Sequence, residues 1–258
     1  MIFLKHKSFM VFFLIIFVSF GSCFALSQYA RSKGFVELSE IDPTIMTSLR
    51  YITNENFLGT PVDGYKKDCV VLIEQVAQAL KKVQQEVKKD GYCLVVYDAY
   101  RPQMAVDHFV RWSKDVENQK KKNQYYPRVN KADAFELGYI ARRSGHSRGA
   151  TVDVTIIKDG QKLHRIIEKK RKLLDGFEIK FLDDGTVDMG SSFDLFDIAS
   201  HFENSLIEEE YKKNRIYLRN VMEKFGFEPY SKEWWHFTFK PEPYPAGIDS
   251  SYFNFAIE

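Results

Sequence analysis

Two short segments of the 258-residue chain hold residues whose types and spacing could do chemistry. One is Ser144-Gly145-His146-Ser147-Arg148-Gly149-Ala150-Thr151-Val152-Asp153-Val154-Thr155. The other is Glu233-Trp234-Trp235-His236-Phe237. Together they offer two imidazoles and two carboxylates. Two His and one Asp suffice to hold a catalytic Zn²⁺, which takes three protein ligands and keeps a fourth position for water. Such an ion lowers the pKa of that water and polarises a carbonyl. The reaction then needs a base. Glu233 is of the right type to take the water's proton and pass it to a leaving amine. Spacing alone keeps a second reading open, because a His in an aromatic strand is also commonly a buried, hydrogen-bonded core residue.

Two further residues could serve the same site. Arg101 lies in Tyr97-Asp98-Ala99-Tyr100-Arg101-Pro102. A guanidinium there could hold a carboxylate, or steady the charge that develops on a tetrahedral intermediate. It could equally pair with Asp98. Asp194 ends Met189-Gly190-Ser191-Ser192-Phe193-Asp194. It could receive an ammonium at a pocket edge, or cap a turn. His108, His164 and His201 have no second ligand at a telling spacing and read as structural or surface residues.

The elements that must position these groups follow from periodicity. Residues 151–157 alternate, which predicts a strand with Val152, Val154 and Ile156 towards the core and Thr151, Asp153 and Thr155 on an opposite polar face. His146 precedes it, across a bend at Arg148-Gly149. Residues 234–239 read as a strand in which Trp234 and His236 share a face. Glu233 then needs a turn or bulge to come beside the ligands. Residues 68–89 carry apolar positions at three- and four-residue spacing and predict a helix ended by Asp90-Gly91. Leu94-Val95-Val96-Tyr97 is a buried strand, and Pro102 opens a helix to about Val116. Short strands are expected over residues 35–38 and 45–51, a short helical pattern over 163–174, and a helix over 206–225 ended by Gly226. The lysines at 120–122 read as part of a solvated loop. Strands and helices without a regular βαβ rhythm predict an α+β fold. We expect one domain with a central, largely antiparallel sheet flanked by helices and a metal cleft on the sheet.

Composition narrows the function. The chain is 28% charged and 45% hydrophobic, which excludes a disordered protein and a multi-span membrane protein. Its net charge of +2 gives no support for a nucleic-acid binder. Residues 1–25 differ from the rest: they hold seven of the 22 Phe and no Asp or Glu. Lys5 and Lys7 precede an apolar run over residues 8–20, and small residues follow at Gly21, Ser22 and Ala25. That layout predicts a cleaved secretory signal, with residues 26–258 as the mature domain, exported and periplasmic. The run is too short to be read as a stable membrane span. Lipid attachment at Cys23 is the secondary reading. Cleavage would remove both lysines and leave 35 basic and 35 acidic residues. The helix expected between Cys69 and Cys93 would hold them about 30 Å apart, against the roughly 7 Å limit of a disulfide. Both are expected free.

From Val36 to Ile257 the chain resembles the VanX-type zinc D-alanyl-D-alanine dipeptidases. The likeness rests on Asp98-Ala99-Tyr100-Arg101-Pro102, on S-x-H-x-x-G-x-x-x-D over residues 144–153, on residues 189–194, and on Glu233-Trp234-Trp235-His236. It implies one Zn²⁺ held by His146, Asp153 and His236, Glu233 as base and then acid, and Arg101 as stabiliser of the tetrahedral intermediate. It implies a small D-amino-acid dipeptide as substrate, with Asp194 anchoring its amino group and Ser144 touching it. Gly145 stands where the resemblance leads us to expect serine, and residues 158–188 form a longer connection than it implies. Two rivals remain: a D-Ala-D-Ala carboxypeptidase or peptidoglycan endopeptidase on the same metal core, and a catalytically silent zinc-binding module. No pattern in the sequence indicates an oligomeric state.

Overall fold

The computed structural model describes residues 26–258. The export signal expected over residues 1–25, and with it Cys23, lies outside the described residues. In chain order the elements are α1 (Gln28–Ser32), β1 (Phe35–Glu37), α2 (Leu38–Ile41), β2 (Met46–Thr47), β3 (Val71–Ile73), α3 (Glu74–Lys89), β4 (Tyr92–Asp98), α4 (Gln103–Lys114), α5 (Lys122–Tyr125), β5 (Thr151–Lys158), β6 (Ile167–Lys172), β7 (Glu178–Asp183), α6 (Glu209–Lys224), β8 (Phe227–Tyr230) and β9 (Glu233–Phe239). Five strands form the central sheet in the order β2-β4-β5-β9-β8. Only β2 and β4 are parallel; the other three pairings are antiparallel. The fold is therefore the α+β arrangement expected from the sequence.

The sheet is held from one side by α3. Its Val76, Ala77, Leu80, Val83 and Val87 are fully buried, which is the apolar stripe of an amphipathic helix. Gln84 locks its position. The side-chain oxygen accepts the Leu94 N–H of β4 at 2.7 Å, and the amide donates to the Thr44 carbonyl at 2.9 Å. Gly91 ends the helix at φ +77°, a conformation that suits glycine. Among the described residues no helix is long and apolar enough to cross a membrane.

Three expected elements take another form. The helix foreseen from residue 68 begins at Glu74, and Val71, Leu72 and Ile73 are extended against β1. Three consecutive buried residues fit a strand covered on both faces better than one side of a helix. Cys69 thus precedes a strand. Both cysteines are nevertheless free and buried. Of residues 45–51 only Met46–Thr47 pairs; the chain then turns away, with Arg50 ion-paired to Asp184. The helical pattern at 163–174 is instead β6, paired along its whole length with β7. Turn chemistry overrides the spacing: Gly176 sits at φ +86°, and Asp175 accepts the Phe177 N–H at 3.0 Å. A small cluster of Leu173, Ile179, Leu195, Ala199 and Ile207 packs this hairpin against the loop of residues 189–207.

Candidate metal centre and active site

β5 and β9 are adjacent antiparallel strands, and their register sets Asp153 directly opposite His236. Directly opposed residues put their side chains on the same face, about 5 Å apart. His146 comes from a short 3-10 turn, His146–Arg148, just before β5. Gly149 closes that turn at φ +75°, where a Cβ would also run into the Phe35 ring. The glycine of the sequence motif is therefore needed for its conformation and for the space.

The three ligand candidates converge. His146 Nε2 lies 3.3 Å from Asp153 Oδ1 and 3.3 Å from His236 Nδ1, and His236 Nδ1 lies 3.1 Å from Asp153 Oδ1. Tetrahedral zinc, with bonds of about 2.0–2.1 Å, holds its ligand atoms about 3.3 Å apart. The residues fit the ion chemically as well. Asp153 Oδ1 is buried and accepts no hydrogen bond, although two ring nitrogens are close. His146 Nδ1 lies 2.7 Å from the Ala99 carbonyl, so the ring proton belongs there and the Nε2 lone pair faces the other two ligands. Burial holds the His236 imidazole below its ordinary pKa, despite Asp153 beside it. Burial opposes ionisation of Asp153 too, but the two histidines more than offset it and keep the carboxyl well below the usual range. The set is thus two imidazoles and one carboxylate.

Glu233 opens β9, beside a register shift between Pro229 and Tyr230 of β8, which is the irregularity the sequence required. Its Oε2 lies 3.4 Å from His236 Nδ1. Burial, with Asp153 and Asp194 nearby, raises the Glu233 carboxyl well above its ordinary pKa. Arg101 is buried at the end of β4. Nε donates to Asp98 Oδ2 at 2.9 Å, and a terminal nitrogen reaches Asp153 Oδ2 at 3.4 Å. The guanidinium also lies 5.0 Å from the Tyr51 ring centre. The pairing with Asp98 is present, and Arg101 also lines the cavity.

That cavity measures about 220 Å³ and runs from the ligands to Asp194, between Tyr51, Tyr139 and Trp235. Asp194 is the single non-glycine residue with positive φ among those described, at +61°. Tyr51 Oη donates to its Oδ2 at 2.8 Å. Burial, and then Asp153, push the Asp194 carboxyl up to about 8. Asp194 is thus a buried acid in a positive-φ conformation at the cavity wall. Ser144 lines the same cavity, and its hydroxyl accepts the His146 N–H at 3.2 Å.

All seven residues singled out from the sequence line this cavity or hold its ligands. Two expected orientations differ. Thr151, Asp153 and Thr155 are buried: the loop through Gly145 closes over Thr151, and at the far end of that face Val95 and Ile157 pack with Cys93 under Met46 and Leu163. A side chain at 145 would overlap Thr151 Oγ1, so glycine is the residue that fits. Trp235, and not Trp234, joins His236 at the cavity, since the β5–β9 ladder stops at Asp153 and the strand leaves its regular alternation. Sequence reasoning passed over Tyr51, whose partner Asp194 is 143 residues away, and Tyr139. Asp98 was visible only as a neighbour. It also accepts from Tyr65 Oη at 2.7 Å and lies 3.6 Å from His146 Nδ1, so it braces Arg101 and His146 together.

Comparison with known proteins adds the following. A family model of peptidase M15, described as D-ala-D-ala dipeptidase, matches residues 31–164 and 179–258 and passes over the segment between, which holds β6 and the turn after it. The D-alanyl-D-alanine dipeptidase of Enterococcus faecium is 36% identical over 225 residues, 87% of this chain and 98% of that protein. Its namesake from Enterococcus faecalis is 38% identical over the same shares. The one from Streptomyces coelicolor is 37% identical over 223 residues, 86% of this chain and 98% of that one.

Proposed function

The chain belongs to the peptidase M15 family of D-ala-D-ala dipeptidases, and from this premise we infer that it hydrolyses D-Ala-D-Ala to two D-Ala with one Zn²⁺ held by His146, Asp153 and His236. One observation carries the reading. Three ligand atoms at zinc spacing, a buried Glu233 and an acid-ended cavity of about 220 Å³ occupy one small space. Bound zinc supplies an activated water and a polarised scissile carbonyl. The chain's own residues do the rest. Glu233 Oε2 takes the proton of the attacking water and delivers it to the nitrogen of the departing D-Ala. Arg101, steadied by Asp98, donates to the carbonyl oxygen as negative charge gathers there. Asp194, held by Tyr51, receives the substrate ammonium, and the Ser144 hydroxyl offers its proton at the cavity wall.

An acid buried at the cavity end favours a free amino group over a longer peptide stem. The test compares turnover of free D-Ala-D-Ala, N-acetyl-D-Ala-D-Ala and L-Ala-L-Ala by the zinc-loaded protein. We expect hydrolysis of the first alone. Equal cleavage of the acetylated form would turn the reading to a carboxypeptidase or endopeptidase, and no hydrolysis of any would leave a silent zinc module.

We place the enzyme outside the inner membrane, in dipeptide salvage or remodelling of peptidoglycan. The charged start, apolar run and small residues of positions 1–25 support export. An exported dipeptidase acts on dipeptide released from the wall and leaves the cytosolic pool intact. Fractionation of the producing cell tests this, and activity chiefly in the cytosol would overturn it.

A further inference from the structure

Arg215 of α6 is one of the most buried side chains in the molecule, 1% exposed, and it has no carboxylate within ion-pair distance among the described residues. Desolvation holds its pKa down to about 9. A buried guanidinium is costly unless its donors are satisfied. Here they are satisfied by one loop. Nε donates to the Met189 carbonyl at 2.6 Å, and the two terminal nitrogens to the carbonyls of His201 and Ala199, each at 2.8 Å, and to Ser191 Oγ at 3.1 Å. Two acceptors precede Asp194 and two follow it.

Ser191 extends the network to β9, the strand that carries Glu233. Its Oγ also accepts the Trp234 indole N–H at 3.0 Å. With both lone pairs occupied, the Ser191 hydroxyl must donate its own proton, and Ser200 Oγ is 3.0 Å away. Ser200 then donates to the Leu195 carbonyl at 2.7 Å, one residue beyond Asp194. The chain of bonds therefore runs in one direction, from Arg215 and Trp234 through Ser191 and Ser200 to the residue after Asp194. Trp234 is the neighbour of Glu233.

We propose that Arg215 is a positioning residue: by clamping both ends of the loop of residues 189–201 and tying it through Ser191 to Trp234, it sets the distance between the ammonium anchor Asp194 and the base Glu233. The clamp holds Asp194 in its positive-φ conformation and so fixes where a dipeptide's amino end must lie. The inference rests on the dipeptidase reading above.

The experiment measures kcat and KM for D-Ala-D-Ala and for propanoyl-D-Ala, which lacks the ammonium. It uses zinc-loaded wild type, Arg215→Lys and Ser191→Ala, with thermal unfolding and zinc content as folding controls. Ser191→Ala removes only the hub and keeps the cation, so it stays informative if the arginine variant folds poorly. We expect KM for D-Ala-D-Ala to rise about tenfold in either variant, the order of one lost buried hydrogen bond. Expected kcat stays within about twofold, and hydrolysis of propanoyl-D-Ala stays near its slow wild-type rate. Arg215→Lys should add little further loss in an Asp194→Asn background. Equal losses on both substrates, or no change on either, would overturn the positioning role while the dipeptidase reading stands. Wild type that hydrolyses no D-Ala-D-Ala would overturn that reading and this inference together.

Discussion

The metal half and the recognition half of the cavity are built by different means. Asp153 and His236 face each other because two strands pair, and His146 is delivered by a three-residue turn just upstream. Backbone ladder and covalent proximity do most of the positioning there. Asp194 sits on an irregular loop in a strained conformation, held by a buried cation, a hydroxyl relay and the small Leu173–Ile207 cluster. Side chains from distant parts of the chain do the positioning there. Damage to the first half should therefore abolish chemistry. Damage to the second should change what binds.

The largest effect is expected from His146→Ala or His236→Ala. Each leaves two ligands of three, so stoichiometric zinc and all turnover are lost; metal analysis of the purified protein checks it. Glu233→Ala comes next. Zinc stays bound, and turnover falls by about 10²–10⁴, the usual share of a general acid–base. A variant with normal activity would remove Glu233 from the mechanism. Arg101→Lys keeps the charge but loses the fork that reaches Asp98 and Asp153, and kcat should fall about 10²-fold with zinc retained.

In the recognition half, Asp194→Asn should raise KM for D-Ala-D-Ala with a smaller change in kcat. It also has a pH signature. The Asp194 carboxyl rises from its ordinary 3.8 to about 8 on folding. A raised carboxyl binds its proton more tightly in the folded chain, so its stabilising contribution is full below about pH 4 and is lost as pH climbs to about 8. Zinc-free wild type should lose thermal stability over that window, and Asp194→Asn should lose less. A parallel decline in both would show that the acid does not titrate as the buried group it is. The smallest effect is expected at the hairpin tip. Arg128 pairs with Asp175 of the β6–β7 turn and with Asp197 just past Asp194. The Asp175 pair is partly exposed but Asp197 is buried, so Arg128→Met should cost about 1–3 kcal/mol of stability by leaving that carboxylate without its partner. It should leave kcat unchanged and shift KM slightly. A large loss of kcat would erase the division between the two halves.

The motifs of the metal half were legible in the sequence, and the His146–Asp153 part of its geometry is local, although His236 lies 90 residues from His146. Alternation over residues 151–157 set a strand, and Gly149 marked the bend that carries His146 back. The need for a bulge before His236 was also visible. What the alternation could not convey was that both faces of β5 are covered. That depends on the loop through Gly145 crossing Thr151, a contact no single-strand period encodes. The helix pattern over residues 68–73 and 163–174 failed for a related reason. Spacings of three and four among a few apolar residues are compatible with a strand when a partner ladder or an Asp-Gly turn is at hand.

By itself the sequence offered the ligand-type residues His146, Asp153 and His236, a carboxylate at Glu233 and the α+β plan, since each rests on residue chemistry and backbone periodicity. It also carried the address-like first 25 residues. Only the tertiary structure decided that Tyr51 meets Asp194, that Asp98 braces Arg101 and His146, and that Arg215 clamps the recognition loop. Those contacts join residues far apart in the chain, and the low-dielectric interior makes each buried polar group depend on the one partner the packing brings to it.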